Sequence, residues 1–151
     1  MSQITNDTEF KRAIKDLDAS RQRLIAARFV EHVLPLSTDE RIARVVKVAA
    51  DNEASADELS NALRTAKAAT FDSHTRCGSE GNWTEQAGYF VSRAAVAALT
   101  PCEQCSSGSP AWQAAMSSRM ARTSMQIDAD DMSTSNESEQ QYQILSDYLN
   151  S

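Results

Sequence analysis

The sequence predicts an all-α domain of about seven helices joined by short connections, and three observations support this fold class. The 151 residues include 23 alanines but only 4 glycines and 3 prolines, a balance that favours helices and leaves few turns for a sheet. Apolar residues recur at three- and four-residue spacing in successive segments. No segment alternates apolar and polar residues for long enough to predict a strand. The length fits one domain, spanning residues 1–151.

The first two helices are predicted from their caps and their apolar faces. The first covers about residues 8–17 after an Asn-Asp cap, and the second covers residues 20–34, where Pro35 ends it. The second helix is apolar around most of its circumference, which predicts a position at the centre of a bundle. Its one narrow polar stripe, which we expect to be exposed, consists of Arg28, Glu31 and His32.

The third and fourth helices each follow a Ser-x-x-Glu capping box, at Ser37 and at Ser55. The fourth is predicted to end near Gly78. The third carries a basic face that is too small, and too well balanced by neighbouring acids, to indicate binding to DNA. That face consists of Arg41, Arg44 and Lys47.

The remaining helices are predicted over residues 82–100, from Ser109-Pro110 to about Thr123, and around Tyr142 to Leu149. Between the last two, residues 128–138 are acidic and rich in serine, which predicts a loop or a frayed helix end. The fifth helix is so apolar that it must be either central or part of a homodimer interface. The sequence leaves the oligomeric state open.

The net charge of −6 is confined to one end of the chain. Residues 1–76 hold 12 acids and 12 bases, whereas residues 127–151 hold six acids and no Lys or Arg. The acidic stretch is either a solvated loop or a patch that binds a basic protein partner. The residues of that candidate patch are Asp128, Asp130, Asp131, Glu137 and Glu139. The charge balance argues against nucleic acid or an anionic membrane as the partner.

No apolar run reaches the length of a membrane span, and the first fifteen residues lack the apolar core of a signal peptide. We therefore expect a cytoplasmic protein. Its three cysteines are expected to be reduced in that compartment.

Histidine and cysteine spacing suggests a metal site that helix geometry argues against. The pairs His74-x-x-Cys77 and Cys102-x-x-Cys105 supply the ligand types of a zinc site. If the fourth and fifth helices form an antiparallel hairpin, however, the two pairs lie at opposite ends of the bundle. We therefore expect a buried Cys77 thiol, a hydrogen-bonded His74 at the core edge, and no metal. A metal or thiol-redox role for Cys102 and Cys105 alone remains the alternative.

Catalytic signals are few. The chain has two histidines, no glycine-rich phosphate loop and no HExxH motif, and the acidic pairs at helix starts are accounted for by the helix dipole. We expect no catalytic residues and no cofactor, although an enzyme whose site has no motif stays open. A stripe of large apolar residues in the sixth helix predicts core packing, or alternatively a soft recognition surface. It comprises Trp112, Met116 and Met120, with Met125 and Met132 beyond.

The stretch from residue 23 to residue 69 is similar to a family of small, Ala-rich helical bacterial proteins that is frequent in planctomycetes. The similarity lies in LSTDER at 36–41, VVKVAA at 45–50 and SADEL at 55–59, and residues 140–148 look like the family's C-terminal helix. The cysteines that the family often carries in its second helix are missing here. Some relatives are labelled immunity proteins, the intracellular antidotes of toxins. The resemblance implies an all-α fold and a role in protein interaction, with no catalytic residue to carry over.

Overall fold

The computed structural model describes residues 4–80, 83–101, 109–128 and 137–150, with the side chains of 76–80, 83, 84 and 126–128 excepted. These residues form seven α-helices and no strand, which confirms the predicted all-α bundle. The helices are α1 (Asp7–Lys15), α2 (Ala19–Val33), α3 (Glu40–Ala49), α4 (Ala56–Glu80), α5 (Trp83–Leu99), α6 (Pro110–Asp128) and α7 (Glu137–Leu149). A short 3₁₀ turn, Leu34–Leu36, follows α2.

Side-chain caps explain where several helices begin. The Asn6 side chain accepts a hydrogen bond from the Glu9 amide at 2.9 Å, and Asp18 caps α2 in the same way. α2 therefore begins at Ala19, one residue before its predicted start. At α4 the capping box is complete, because Ser55 Oγ accepts from the Glu58 amide and Glu58 Oε1 accepts from the Ser55 amide. These caps satisfy backbone donors that a helix start otherwise leaves unpaired.

The capping box predicted at Ser37 is wrong. The N-cap of α3 is Asp39, whose carboxylate accepts from the Arg41 amide at 2.9 Å. Ser37 Oγ instead accepts from the Asp39 amide, before the helix begins. Arg41 also binds the Asp39 and Asp72 carboxylates, so this member of the basic face of α3 is engaged within the molecule.

The prediction that α2 is central is confirmed. It packs against α3, α5, α6 and α7. Phe29 lies 5.5 Å, ring to ring, from Phe10 of α1, and Phe10 in turn packs against Trp112 and Tyr142. The buried residues of α2 are Gln22, Ile25, Ala26, Ala27, Phe29, Val30 and Val33.

Helices α5 and α6 form the most extensive helix–helix contact, and small side chains allow their close approach. α5 also packs against α2, α3 and α4, which gives it a central position in the bundle. The alanines that are buried in these two helices are Ala87, Ala94, Ala95 and Ala98 in α5 and Ala111, Ala114, Ala115 and Ala121 in α6.

Three helices are longer than predicted. α4 continues past Gly78 to Glu80, and α6 continues past Thr123 to Asp128. α6 ends at Asp128 and α7 begins at Glu137, so the two ends of the acidic stretch are helical. Residues 129–136 lie outside the described residues. Within the described helices, none has the length and apolar character needed to cross a membrane.

Candidate functional site

A buried carboxylate at the start of α7 forms the centre of the polar site. The Glu137 side chain is only 2% exposed. Its Oε2 lies 2.8 Å from Nδ1 of His32 on α2, and its Oε1 accepts from Nε of Arg122 on α6 at 3.0 Å. A carboxylate can be buried only when such partners replace its lost water. Glu137 therefore joins three helices.

This geometry corrects two expectations. Glu137 was predicted to belong to an exposed acidic patch, but it is buried because its carboxylate faces His32 and Arg122. His32 was predicted to be exposed, but its side chain is only 32% exposed and it contacts Glu137. The polar stripe of α2 is thus partly covered by α7, which packs against α2 at this point.

A second polar contact holds α7 one turn further on. Gln141 is fully buried, and its side-chain amide donates to the carbonyl of Ala115 and accepts from Nε of Arg119 at 2.8 Å. Arg119 also donates two hydrogen bonds to the Asp7 carboxylate. Because Glu137 and Gln141 are four residues apart, they share one face of α7. We call this pair the α7 anchor.

The Asp7 carboxylate receives a third hydrogen bond from the Tyr142 hydroxyl, at 2.7 Å. Its hydrogen bonds from Arg119 hold the pKa of Asp7 below the ordinary value of 3.8. Burial, followed by the hydrogen bond to Asp7, raises the pKa of Tyr142 above its ordinary value of 10.0. The contact thus ties α1 to α6 and α7 through charged and polar groups.

The outer face of α7 carries the exposed acids. Glu139, Gln143 and Asp147 recur every four residues and are all exposed, and the Gln143 amide donates to the Asp147 carboxylate at 2.8 Å. Asp128 is the last residue of α6, and its side chain lies outside the described residues, as do Asp130 and Asp131 entirely. Of the predicted patch, the described side chains are those of Glu137, which is buried, and Glu139, which is exposed.

A shallow depression of about 330 Å³ opens beside His32. Arg28, Glu31, Ile144 and Asp147 complete its lining. A carboxylate that orients an imidazole is an arrangement used by general bases, but no serine, threonine or cysteine lines this depression. Charges of both signs lie together here, which is typical of a polar contact surface.

The histidine and cysteine pairs are not brought together by the described residues. His74 is exposed and stacks on Tyr89 at 5.4 Å, so its predicted place at the core edge is wrong. The Cys77 side chain lies outside the described residues, as do Cys102 and Cys105. Pro101 shares a pocket with Leu59 near the start of α4, about 27 Å along that helix from residue 77. No group of three or more His, Cys, Asp or Glu residues suited to a metal occurs in the described part of the chain.

That pocket, of about 390 Å³, lies where α2, α4 and α6 begin and α5 ends. Its lining is largely alanine, leucine and proline. Arg23 at its edge already donates to the carbonyls of Ala49 and Asp51. The guanidinium of Arg23 and the hydroxyl of Thr100, which donates to the carbonyl of Val96, are thus bound within the protein itself.

The stripe of the sixth helix is divided between core and surface. Trp112 and Met116 are half-buried and pack against the core, as predicted. Met120 is 50% exposed, so core packing is the wrong interpretation for this residue. Met125 is half-buried, and Met132 lies outside the described residues.

Sequence reasoning missed Gln141 as a member of the α7 anchor, and Arg119 and Arg122 as the partners of that anchor. The signal in the sequence was their spacing. The two arginines lie three residues apart on one face of α6, and the Glu and Gln that they contact lie four residues apart on one face of α7.

No known family model, curated protein or solved structure matches this chain.

Proposed function

We propose that this protein is a non-enzymatic protein-interaction module, immunity-like in its mode of action, whose acidic C-terminal region binds a basic surface of a cytoplasmic partner. One observation carries the proposal. The whole net charge of −6 is concentrated in residues 127–151, and the acids of α7 other than Glu137 are exposed. A concentrated field of one sign favours a partner of the opposite sign.

The α7 anchor supports this proposal by fixing the helix that carries the acids. Glu137 and Gln141 are buried against α2 and α6, whereas Glu139 and Asp147 point to solvent. A preformed acidic face loses less conformational entropy on binding than a mobile tail does. Enzymes that handle anions carry basic surfaces, and such a surface is the partner chemistry that this face fits.

The test compares two variants that each remove four negative charges. In the first, Asp128→Asn, Asp130→Asn, Asp131→Asn and Glu139→Gln neutralise the acidic region while Glu137 is kept, so that α7 stays anchored. The matched control neutralises four exposed acids elsewhere, with Asp16→Asn, Glu40→Gln, Glu53→Gln and Asp57→Asn. Tagged proteins are used for affinity capture from the source cell at low and high salt, with recovery quantified by mass spectrometry.

We expect the wild type and the control variant to recover the same basic protein, with recovery falling as salt rises. The acidic-region variant should recover at least about tenfold less of it. Equal recovery by the two variants, or a captured protein that is itself acidic, would show that this mechanism is wrong.

A further inference from the structure

A groove of about 280 Å³ lies between α5 and α6, on elements other than the acidic helix α7. Its apolar lining comes from Phe90, Trp112, Met116 and Met120. Met120 is 50% exposed, although a methionine with this many apolar neighbours is normally covered. Methionine and aromatic side chains together form surfaces that adapt to the apolar side chains of a partner.

Further aromatic side chains lie on α5 and α4, next to Phe90 of the groove. Tyr89 lies 5.3 Å from Phe90 and 5.4 Å from His74, ring to ring. Phe71, one helical turn before His74, is 71% exposed and is the most exposed large apolar side chain in the described part of the chain. Large apolar side chains that are exposed on neighbouring helices are typical of interaction sites.

The charges around the groove are positive. Arg93 lines it and lies over the Tyr89 ring at 5.8 Å, and Lys11 Nζ lies 5.0 Å over the Trp112 ring. No acid lines the groove, and α6 has no acidic residue between Pro110 and Ile127. The ion pairs found among the described residues include neither Arg93 nor Lys11. An acidic protein thus presents two basic side chains, Arg93 in the groove and Lys11 beside it, next to this set of apolar side chains.

We propose that this groove binds an acidic amphipathic helix of a protein partner. Apolar side chains at one-turn spacing on that helix contact Phe90, Trp112 and the two methionines, as in other complexes in which a helix lies in a groove. Aspartate or glutamate residues beside those anchors pair with Arg93 and Lys11. The site differs from the acidic C-terminal region in both its helices and its charge, so it does not depend on the function proposed for that region.

The probe is a fluorescein-labelled helical peptide of about four turns, with leucines at i, i+4, i+7 and i+11 and glutamates beside them. Its control has the same leucines and lysine in place of each glutamate. Binding to the full chain is measured by fluorescence anisotropy at low and high salt. We expect the acidic peptide to bind, with an affinity that falls as salt rises, and the basic peptide to bind at least about tenfold more weakly.

Three variants locate the binding site. Arg93→Glu and Met120→Ala change exposed side chains of the groove. Each should lower the affinity for the acidic peptide by about tenfold or more. Arg44→Glu makes the same charge change on the exposed face of α3 and should leave the affinity within about twofold.

The proposal is overturned if neither peptide binds, if both bind equally, or if Arg44→Glu weakens binding as much as Arg93→Glu does. Analytical ultracentrifugation tests the other possible occupant. A dimer that becomes a monomer in Met120→Glu would show that the groove is a contact between two copies, and would also overturn the proposal.

Discussion

Helices α2 and α7 both pack against the centre of the molecule, but by opposite chemistry. Of the seven residues buried in α2, six are apolar and one, Gln22, is polar. Of the four residues buried in α7, only Leu145 is apolar. α2 is therefore held mainly by non-directional burial, whereas α7 adds to its half-buried Tyr142, Ile144 and Tyr148 a set of hydrogen bonds and ion pairs with defined partners. We therefore predict that a change of charge can loosen α7 while α2 stays packed.

The largest effect is expected from truncation of α2. Phe29 is fully buried and contacts Phe10, so Phe29→Ala leaves a cavity and should lower the free energy of unfolding by about 3–5 kcal/mol. Urea unfolding followed by circular dichroism measures this. The same truncation at the exposed Phe71 is the matched control and should change stability by no more than about 0.5 kcal/mol. Similar losses for the two variants would contradict the central position of α2.

A smaller and more local effect is expected at α7. Glu137→Gln removes the buried charge that faces His32 and Arg122 and should cost about 1–3 kcal/mol. Hydrogen exchange should show faster exchange in the α7 amides and unchanged exchange in α2. Glu139→Gln, two residues away and exposed, is the control and should leave both helices protected. If α2 and α7 lost protection together, the two helices would form one cooperative unit and the contrast between them would fail.

The smallest effect concerns pH at the contact between α1 and α7. Because the pKa of Asp7 is lower in the folded chain than in the unfolded chain, its contacts stabilise the fold above the unfolded value of about 3.8. That stabilisation is lost as the pH falls through the lower folded pKa. Asp7 is half exposed, so Asp7→Asn should cost at most about 1 kcal/mol at neutral pH.

Two measurements check this prediction. Urea unfolding across the acidic range should show the difference between the wild type and Asp7→Asn shrinking as the pH falls below about 4. Carbon NMR of the tyrosine rings should show that the pKa of Tyr142 falls toward its ordinary value in Asp7→Asn, because the hydrogen bond to the carboxylate contributes to its elevation. A gap in stability that does not depend on pH would mean that the carboxylate is not the group responsible.

The same contrast explains what could be predicted from the sequence. Apolar periodicity reports burial directly, so the helices and the central place of α2 were predictable. Glu137 and Gln141 look like surface residues because burial of a polar side chain depends on partners that are distant in the chain. His32 is 105 residues from Glu137, and nothing in the local pattern links them. Met120 is the opposite case, an apolar side chain that is exposed. The apolar periodicity of α6 predicts which face Met120 lies on, but not whether another helix covers that face.

The two Ser-x-x-Glu motifs show that a second capping residue nearby can take the place of the predicted N-cap. At Ser55 the motif forms the capping box, whereas near Ser37 the carboxylate of Asp39 caps α3 instead. Asp and Ser are both favoured N-caps, so the motif alone cannot choose between Ser37 and a neighbouring aspartate two residues later. The choice followed from Arg41, which binds Asp39 through both its amide and its guanidinium.

The hydrogen bond between Arg122 and Glu137 joins side chains that are 15 residues apart in the chain. The entropy cost of bringing two such side chains together grows only slowly with the length of chain between them, by about 0.6 kcal/mol for each doubling. An insertion there would therefore weaken the docking of α7 only slightly. We therefore expect that a reporter domain, or a longer natural insertion, can be placed between the end of α6 and Glu137. Helix α7 should keep its position when this is done.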